Sequence, residues 1–353
     1  MKEIKIFVVD DSAIVRQAIA ELVQNEFHFT LLGIASNPII AMEKFKRFGF
    51  PDVLILDIEM PQMNGLDFLK ILMAENPLPV IICSTVAGQG SKNAIEALSL
   101  GAVDIIQKPE IGVKSFFKEY QQTFIHTVIN ASHSKISKQK SKHEFIIEEK
   151  KDADAVLGLV KKSNIKTTTI IGFGSSTGGV QTIEKILTPI TSTNIPPIVI
   201  VQHMPPGFTK SFASRLNMLC HLNIKEAEDG DKLLNGRVLI APGDKHLTVK
   251  RISNSYVVKL KDGPKVSRHK PSVDILFRSL ANEAGDNAIG IILTGMGSDG
   301  ALGLKEMLER GAKTYVQDKE SCVVFGMPKE ALNIGAASKT LTLEQITDLI
   351  KHK

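Results

Sequence analysis

The chain has 353 residues, enough for two domains of ordinary size. It is 43% hydrophobic and 23% charged, with a net charge of +5 and no tryptophan. That balance describes a folded globular chain and gives no basic, aromatic-interleaved footprint for nucleic acid. No apolar run approaches the ~20 residues needed to cross a bilayer, so no membrane insertion is expected. "MKEIKIFVVDD" reaches an acid pair too soon for a signal peptide. Three scattered cysteines exclude a disulfide framework, and Cys83 and Cys322 read as small core residues. A cytoplasmic location is the expectation.

Residues 1–127 read as a regular α/β alternation. Apolar runs "IKIFVVDD", "FTLLGIAS", "PDVLILDIE", "PVIICST" and "AVDIIQKP" are each followed by a stretch of helical period. Five strands and five helices predict a doubly wound parallel sheet, where function collects at the carboxyl ends of the strands. Asp10 and Asp11 end the first run and Asp57 the third, so three carboxylates converge. Their mutual repulsion calls for a divalent cation, and an all-oxygen site favours Mg²⁺. A carboxylate beside that cation is a phosphoryl acceptor. Ser84 and Lys108 end the next two runs and offer a hydroxyl and a positive charge to phosphate oxygens. The Lys108–Pro109 bond is cis or trans. Single acids at strand ends also serve as helix caps, and Asp10 or Ser12 suits that role.

"VVDDS", "LILDIEMPQMNG", "ICST" and "IIQKP" together resemble two-component receiver domains. The resemblance implies a flavodoxin-like fold and phosphorylation of Asp57 by a histidine kinase. It also implies Mg²⁺ on Asp10, Asp11 and Asp57, with Ser84 and Lys108 on the phosphoryl group.

Residues 128–165 change character. "ASHSKISKQKSKHEFIIEEKK" carries six lysines against three glutamates and no apolar period, which predicts a flexible linker. "ADAVLGLVKKS" adds one helix leading into the next domain. From 166 to 353 alternation resumes, with strands in "TTTIIGFG", "PPIVIVQH", "GRVLIAP", "AIGIILTG", "GAKTYVQ" and "KTLTL". A hairpin, "HLTVKR" with "SYVVKLK", interrupts them. Helices are expected to begin at Gly178, Phe208, Ser272, Asp299, Pro328 and Leu343. This predicts a second mainly parallel, Rossmann-like sheet.

"IIGFGSSTGG" fails the P-loop pattern, because no lysine follows its glycines. It also fails the dinucleotide pattern, because Thr177 stands where a glycine is needed. Gly174-Ser175-Ser176-Thr177-Gly178 fits G-x-S-x-G, which would lift Ser176 above the sheet as a nucleophile. Backbone N–H groups near Thr177 would then face an oxyanion. A serine-capped turn accounts for the same residues equally well. His203 ends the next strand and is the candidate base. His269, in a basic loop, is its competitor, suited to a structural or substrate-contact role. His221, His246 and His352 read as surface residues. Asp299 is the candidate orienting acid, with Asp318 as runner-up, although Asp299 also suits an N-cap of "DGALGLKEMLER". The order Ser…His…Asp differs from that of α/β-hydrolases.

"IGFGSSTGG", "VIVQHMPPGFTKSFASRLN", "VLIAPGDKHL", "HKPSVDILF", "ILTGMGSDGALG" and "SCVVFGMPKEA" resemble the catalytic domain of the chemotaxis methylesterase family CheB. The resemblance implies hydrolysis of glutamate γ-methyl esters, and deamidation of particular glutamines, on methyl-accepting chemoreceptors. It implies Ser176 as nucleophile, His203 as base and Asp299 as its partner. Thr177 and the Met296 backbone become oxyanion and active-site contacts, and no cofactor is needed in this half. Ser175 departs from the family's usual alanine and offers a second hydroxyl near the site. Regulation is expected through an unphosphorylated receiver that covers the Ser176 cleft. A receptor-docking module without turnover, and a hydrolase of small esters, remain as alternatives.

Overall fold

The computed structural model describes residues 3–60, 63–85, 88–109, 113–134, 136 and 169–353. The chain divides into two compact units, Met1–Phe145 and Ile146–Lys353. Most of the expected linker, with its "ADAVLGLVKKS" helix, lies outside the described residues.

In the first unit the strands are β1 (Ile4–Val9), β2 (Phe29–Ala35), β3 (Val53–Asp57), β4 (Val80–Ser84) and β5 (Asp104–Gln107). They pair in the order β2-β1-β3-β4-β5, all parallel. Every residue of β3 and β4 is buried, which is why both strands read as unbroken apolar runs. The helices are α1 (Ala13–Gln24), α2 (Pro38–Phe48), α3 (Gly65–Glu75), α4 (Gln89–Ser99), α5 (Val113–Glu119) and α6 (Gln121–Ser132). Asn37 caps α2 ahead of Pro38, and Asn64 caps α3. The expected five helices are thus six. The expected linker start at 128 falls inside α6, which buries Val128 and Ala131. Strand order reverses direction at β1 and β3, and the carboxyl ends of those two strands carry the acid cluster.

The second unit runs β6 (Ile170–Ser175), α7 (Gly179–Leu187), β7 (Ile198–Gln202), α8 (Phe208–Leu219), β8 (Asn223–Glu226) and β9 (Arg237–Ile240). The hairpin β10 (His246–Ile252) and β11 (Ser255–Lys261) follows, then α9 (Val273–Glu283) and β12 (Ala288–Ile292). It ends with α10 (Ala301–Glu309), β13 (Lys313–Gln317), α11 (Met327–Asn333), β14 (Lys339–Leu341) and α12 (Leu343–Lys351). Seven strands pair in parallel in the order β14-β13-β12-β6-β7-β9-β8. The hairpin forms its own antiparallel sheet, with His246 opposite Lys261. Sequence reading missed β8, whose four residues offer one buried apolar side chain, Ile224.

The glycines of β6 have a packing role. A side chain at Gly172 would meet Leu280 and Phe277 of α9, and one at Gly174 would meet Val273. Their absence lets α9 lie close on the centre of the sheet, with Val273 to Ala281 all buried. The glycine pattern that resembles a nucleotide loop is explained by this helix.

Candidate active site

The acid cluster of the first unit forms as expected. One carboxylate oxygen from each of Asp10, Asp11 and Asp57 lies within 4.8 Å of the others. Asp10 and Asp57 are buried and Asp11 is exposed. Lys108 follows β5 and donates from Nζ to Asp57 Oδ2 at 2.7 Å and to Asp10 Oδ1 at 3.1 Å. Burial, and then the Asp57 charge, push the Asp10 carboxyl up to about 6 against the opposing pull of Lys108. Burial likewise raises Asp57. Burial disfavours the charged lysine, but the two carboxylates outweigh it and raise Lys108. Three carboxylates share the single Lys108 ammonium, which leaves negative charge uncompensated. This oxygen-only set fits a hard divalent cation.

Ser84 is buried, and its hydroxyl donates to the Gly90 carbonyl at 3.1 Å rather than toward Asp57. Ser12, not Asp10, caps α1 by accepting the Val15 N–H. Among the described residues the cis X–Pro bond is Lys270–Pro271; Lys108–Pro109 is trans.

In the second unit, register brings the candidate triad together. Ser175 pairs with Gln202, so Ser176 and His203 leave neighbouring strands side by side. Gly174 pairs with Ile292, and the Ser176 N–H donates to the Thr294 carbonyl at 3.1 Å. Ser176 is partly exposed and its φ is not left-handed. The turn instead places Gly178 at φ +79°, where a Cβ would lie 2.5 Å from that of Val323. The strained serine elbow of the G-x-S-x-G pattern is therefore absent, and α7 begins at Gly179. The Ser175 hydroxyl is fully buried and donates to Gln202 Oε1 at 2.7 Å. Alternation along β6 turns it away from Ser176, so it is not a second hydroxyl of the site.

His203 Nε2 hydrogen-bonds Asp299 Oδ2 at 2.7 Å, while its buried Nδ1 has no partner. Asp299 is 2% exposed. It also accepts from Ser272 Oγ at 2.7 Å, the Val273 N–H at 2.8 Å and the Asp274 N–H at 3.1 Å. The carboxylate therefore caps a helix, but the helix is α9 and not α10 as its place in the chain suggested. Burial alone would raise Asp299. The His203 hydrogen bond and charge, with the Ser272 hydrogen bond, outweigh it and hold the carboxyl below its usual range.

His246 corrects the expectation of a surface residue: it is fully buried. Its Nε2 lies 2.9 Å from the Pro264 carbonyl, and Nδ1 accepts the Ser272 N–H at 3.2 Å. It thus steadies the residue that holds Asp299. Burial lowers its pKa, in keeping with a neutral ring. Asp318 accepts from the Glu320 and Ser321 N–H groups and from the Ser321 hydroxyl, which fixes it in a turn. Thr177 is buried, and its carbonyl accepts from Thr294 Oγ1 at 3.0 Å. Met296 is partly exposed and follows Gly295, where a Cβ would lie 2.9 Å from that of Ser176.

The fold and the two strand-end clusters define a protein of two α/β units, one carrying an acidic, cation-fitting strand-end cluster and the other a serine, histidine and aspartate at its strand ends. Residues 6–114 match the response regulator receiver domain, and residues 171–350 match CheB methylesterase. A protein-glutamate methylesterase/protein-glutamine glutaminase of Chromobacterium violaceum is 49% identical over 98% of this chain and 99% of its own. The enzyme of the same description from Salmonella typhimurium is 43% identical over 100% of this chain and 97% of its own. The crystal structure of the Thermotoga maritima CheB methylesterase catalytic domain is 40% identical, with a TM-score of 0.51. It covers 53% of this chain and 99% of that one. The chain belongs to the CheB family of methylesterase/glutaminase enzymes of chemotactic adaptation, with a receiver domain.

Proposed function

We propose that this protein is a phosphorylation-activated serine esterase. It hydrolyses glutamate γ-methyl esters on chemoreceptors and deamidates particular receptor glutamines to glutamate, in the cytoplasm. The observation that carries this reading is His203, held to Asp299 at 2.7 Å with Nδ1 unpartnered at the strand end beside Ser176.

Ser176 is the nucleophile. His203 Nδ1 takes its proton as the oxygen attacks the glutamyl carbonyl. The imidazolium that forms is stabilised by Asp299, which stays ionised. The Thr177 and Met296 backbone N–H groups hold the oxyanion. His203 then returns the proton to methanol or ammonia as it leaves. Water, deprotonated by the same nitrogen, resolves the acyl-enzyme.

The receiver comprises β1 to α6, and the catalytic domain starts near 166 with the linker between them. Asp57 accepts a phosphoryl group from a histidine kinase. Asp10, Asp11 and Asp57 would hold Mg²⁺, which supplies charge neutralisation for the incoming phosphate. Lys108 pairs with the phosphoryl oxygens, and the Ser84 hydroxyl turns from Gly90 to join it. The added charge shifts the receiver between two states that differ in their effect on hydrolysis.

The test is methanol release from methylated chemoreceptor membranes, with glutamine-to-glutamate conversion followed by mass spectrometry. Both activities are expected in the wild type and absent in Ser176→Ala. Receptor binding without either activity would contradict the reading.

A further inference from the structure

The loop between β11 and α9 holds two consecutive non-glycine residues in the left-handed region, Ser267 at φ 48° and Arg268 at φ 71°. They form the tip of a tight turn closed by two backbone bonds. Val266 N–H donates to the His269 carbonyl at 3.0 Å and His269 N–H to the Val266 carbonyl at 2.9 Å. Such a turn normally takes Asn and Gly, so these residues sit there at a conformational cost. The turn is tied to the helix below. Ser267 Oγ donates to Asp274 Oδ2 at 2.9 Å, and Asp274 Oδ1 accepts the Gly303 N–H at 2.8 Å. The loop delivers one side chain to the site. The His269 ring lies flat on His203, with centroids 3.7 Å apart and planes 4° from parallel.

We propose that His269 is a positioning residue, whose ring clamps His203 in the orientation that gives Nε2 to Asp299 and leaves Nδ1 for Ser176. This rests on the serine mechanism proposed above. The Asp299 bond fixes one atom of the His203 ring and leaves rotation about that atom open. A planar group in contact across the whole face closes that freedom, because any tilt of His203 must displace a ring held by the turn. The clamp requires an uncharged ring, since two imidazoliums at this distance would repel. Burial and then the adjacent His203 push His269 down to about 3, with Lys265 and Arg268 acting the same way and Asp299 opposing. His269 therefore stays neutral while His203 gains and loses its proton.

The test uses the full-length protein with methylated chemoreceptor membranes, comparing wild type, His269→Ala, His269→Phe and Ser176→Ala. His269→Ala is expected to lower kcat roughly 10- to 100-fold, with KM and thermal unfolding unchanged, as a loosened base does. His269→Phe keeps a flat ring and is expected to recover to within about threefold of wild type. A second arm reads the His203 ring by ¹⁵N NMR in the Ser176→Ala background, where no turnover occurs. A single Nε2-protonated tautomer is expected with the native His269 and equally in His269→Phe, and a mixture in His269→Ala. The proposal falls if His269→Ala keeps full kcat, if its loss lies in KM alone, or if His269→Phe is as poor as His269→Ala. It also falls if the tautomer is unchanged in His269→Ala. Methanol release by Ser176→Ala at the wild-type rate would instead overturn the serine mechanism itself.

Discussion

Asp299 Oδ2 accepts from His203 Nε2 at 2.7 Å and from the Val273 N–H at 2.8 Å, so one carboxylate oxygen both orients the imidazole and closes the start of α9. On the proposed mechanism, catalysis and stability are joined at this atom. Asp299→Asn is expected to lower kcat roughly 10³- to 10⁴-fold, because a neutral amide neither fixes the tautomer nor balances the imidazolium. Asp299→Ala should in addition cost about 1–3 kcal/mol of stability, since it strips the cap and leaves buried N–H groups unpaired. Initial rates of methanol release, set beside urea unfolding of each variant, separate the two effects.

Gly295 limits how Ser176 can be packed. A Cβ there would lie 2.9 Å from that of Ser176 and press on Met327 Sδ. Gly295→Ala is therefore expected to push the serine loop aside and cut kcat at least tenfold, while overpacking costs about 1–3 kcal/mol. Wild-type turnover in Gly295→Ala would show that the serine position is not critical.

Asp274 should make stability depend on pH. Burial, and then the Asp299 charge, raise its carboxyl above the usual 3.8. A carboxyl raised in the folded state stabilises the fold while protonated. That contribution is complete below about pH 4 and is lost as pH rises through the raised value. Asp274→Asn removes this dependence and can still meet Ser267 and Gly303 through its amide. Relative to wild type, the variant is expected to gain stability as pH rises from about 4 towards 8, by no more than about 1.4 kcal/mol per pH unit. Urea unfolding across that range measures it, and parallel curves for the two proteins would contradict it.

Lys108 couples the acid cluster, reaching Asp57 at 2.7 Å and Asp10 at 3.0 Å. Lys108→Met leaves the carboxylates without their counter-charge. It is expected to strengthen Mg²⁺ binding in a calorimetric titration while lowering the response to a phosphodonor at least tenfold. Unchanged Mg²⁺ affinity would detach Lys108 from the cation site.

The meeting of Ser176, His203 and Asp299 at one end of the sheet was legible in the sequence because each follows an apolar run, and parallel strands align such ends. The acid cluster was legible for the same reason. Other features depend on contacts distant in the chain. His246 reads as polar in a hairpin, yet β10 carries it beneath Ser272. Asp299 looks like the cap of the helix that follows it, but α9, earlier in the chain, presents its N–H groups to the carboxylate. The stack of His269 on His203 depends on two left-handed residues, Ser267 and Arg268, that no turn propensity announces. The orientation of Ser175 follows from alternation along β6, once the strand is known to extend to that residue.

The most direct measurement is methanol release from methylated chemoreceptor membranes with and without a small acyl phosphate plus Mg²⁺, for wild type, Asp57→Ala and Ser176→Ala. Wild type is expected to accelerate about tenfold or more, a shift of about 1.4 kcal/mol. Asp57→Ala should keep only the basal rate, and Ser176→Ala should release nothing under either condition. Stimulation that survives Asp57→Ala, or release that survives Ser176→Ala, would contradict the account.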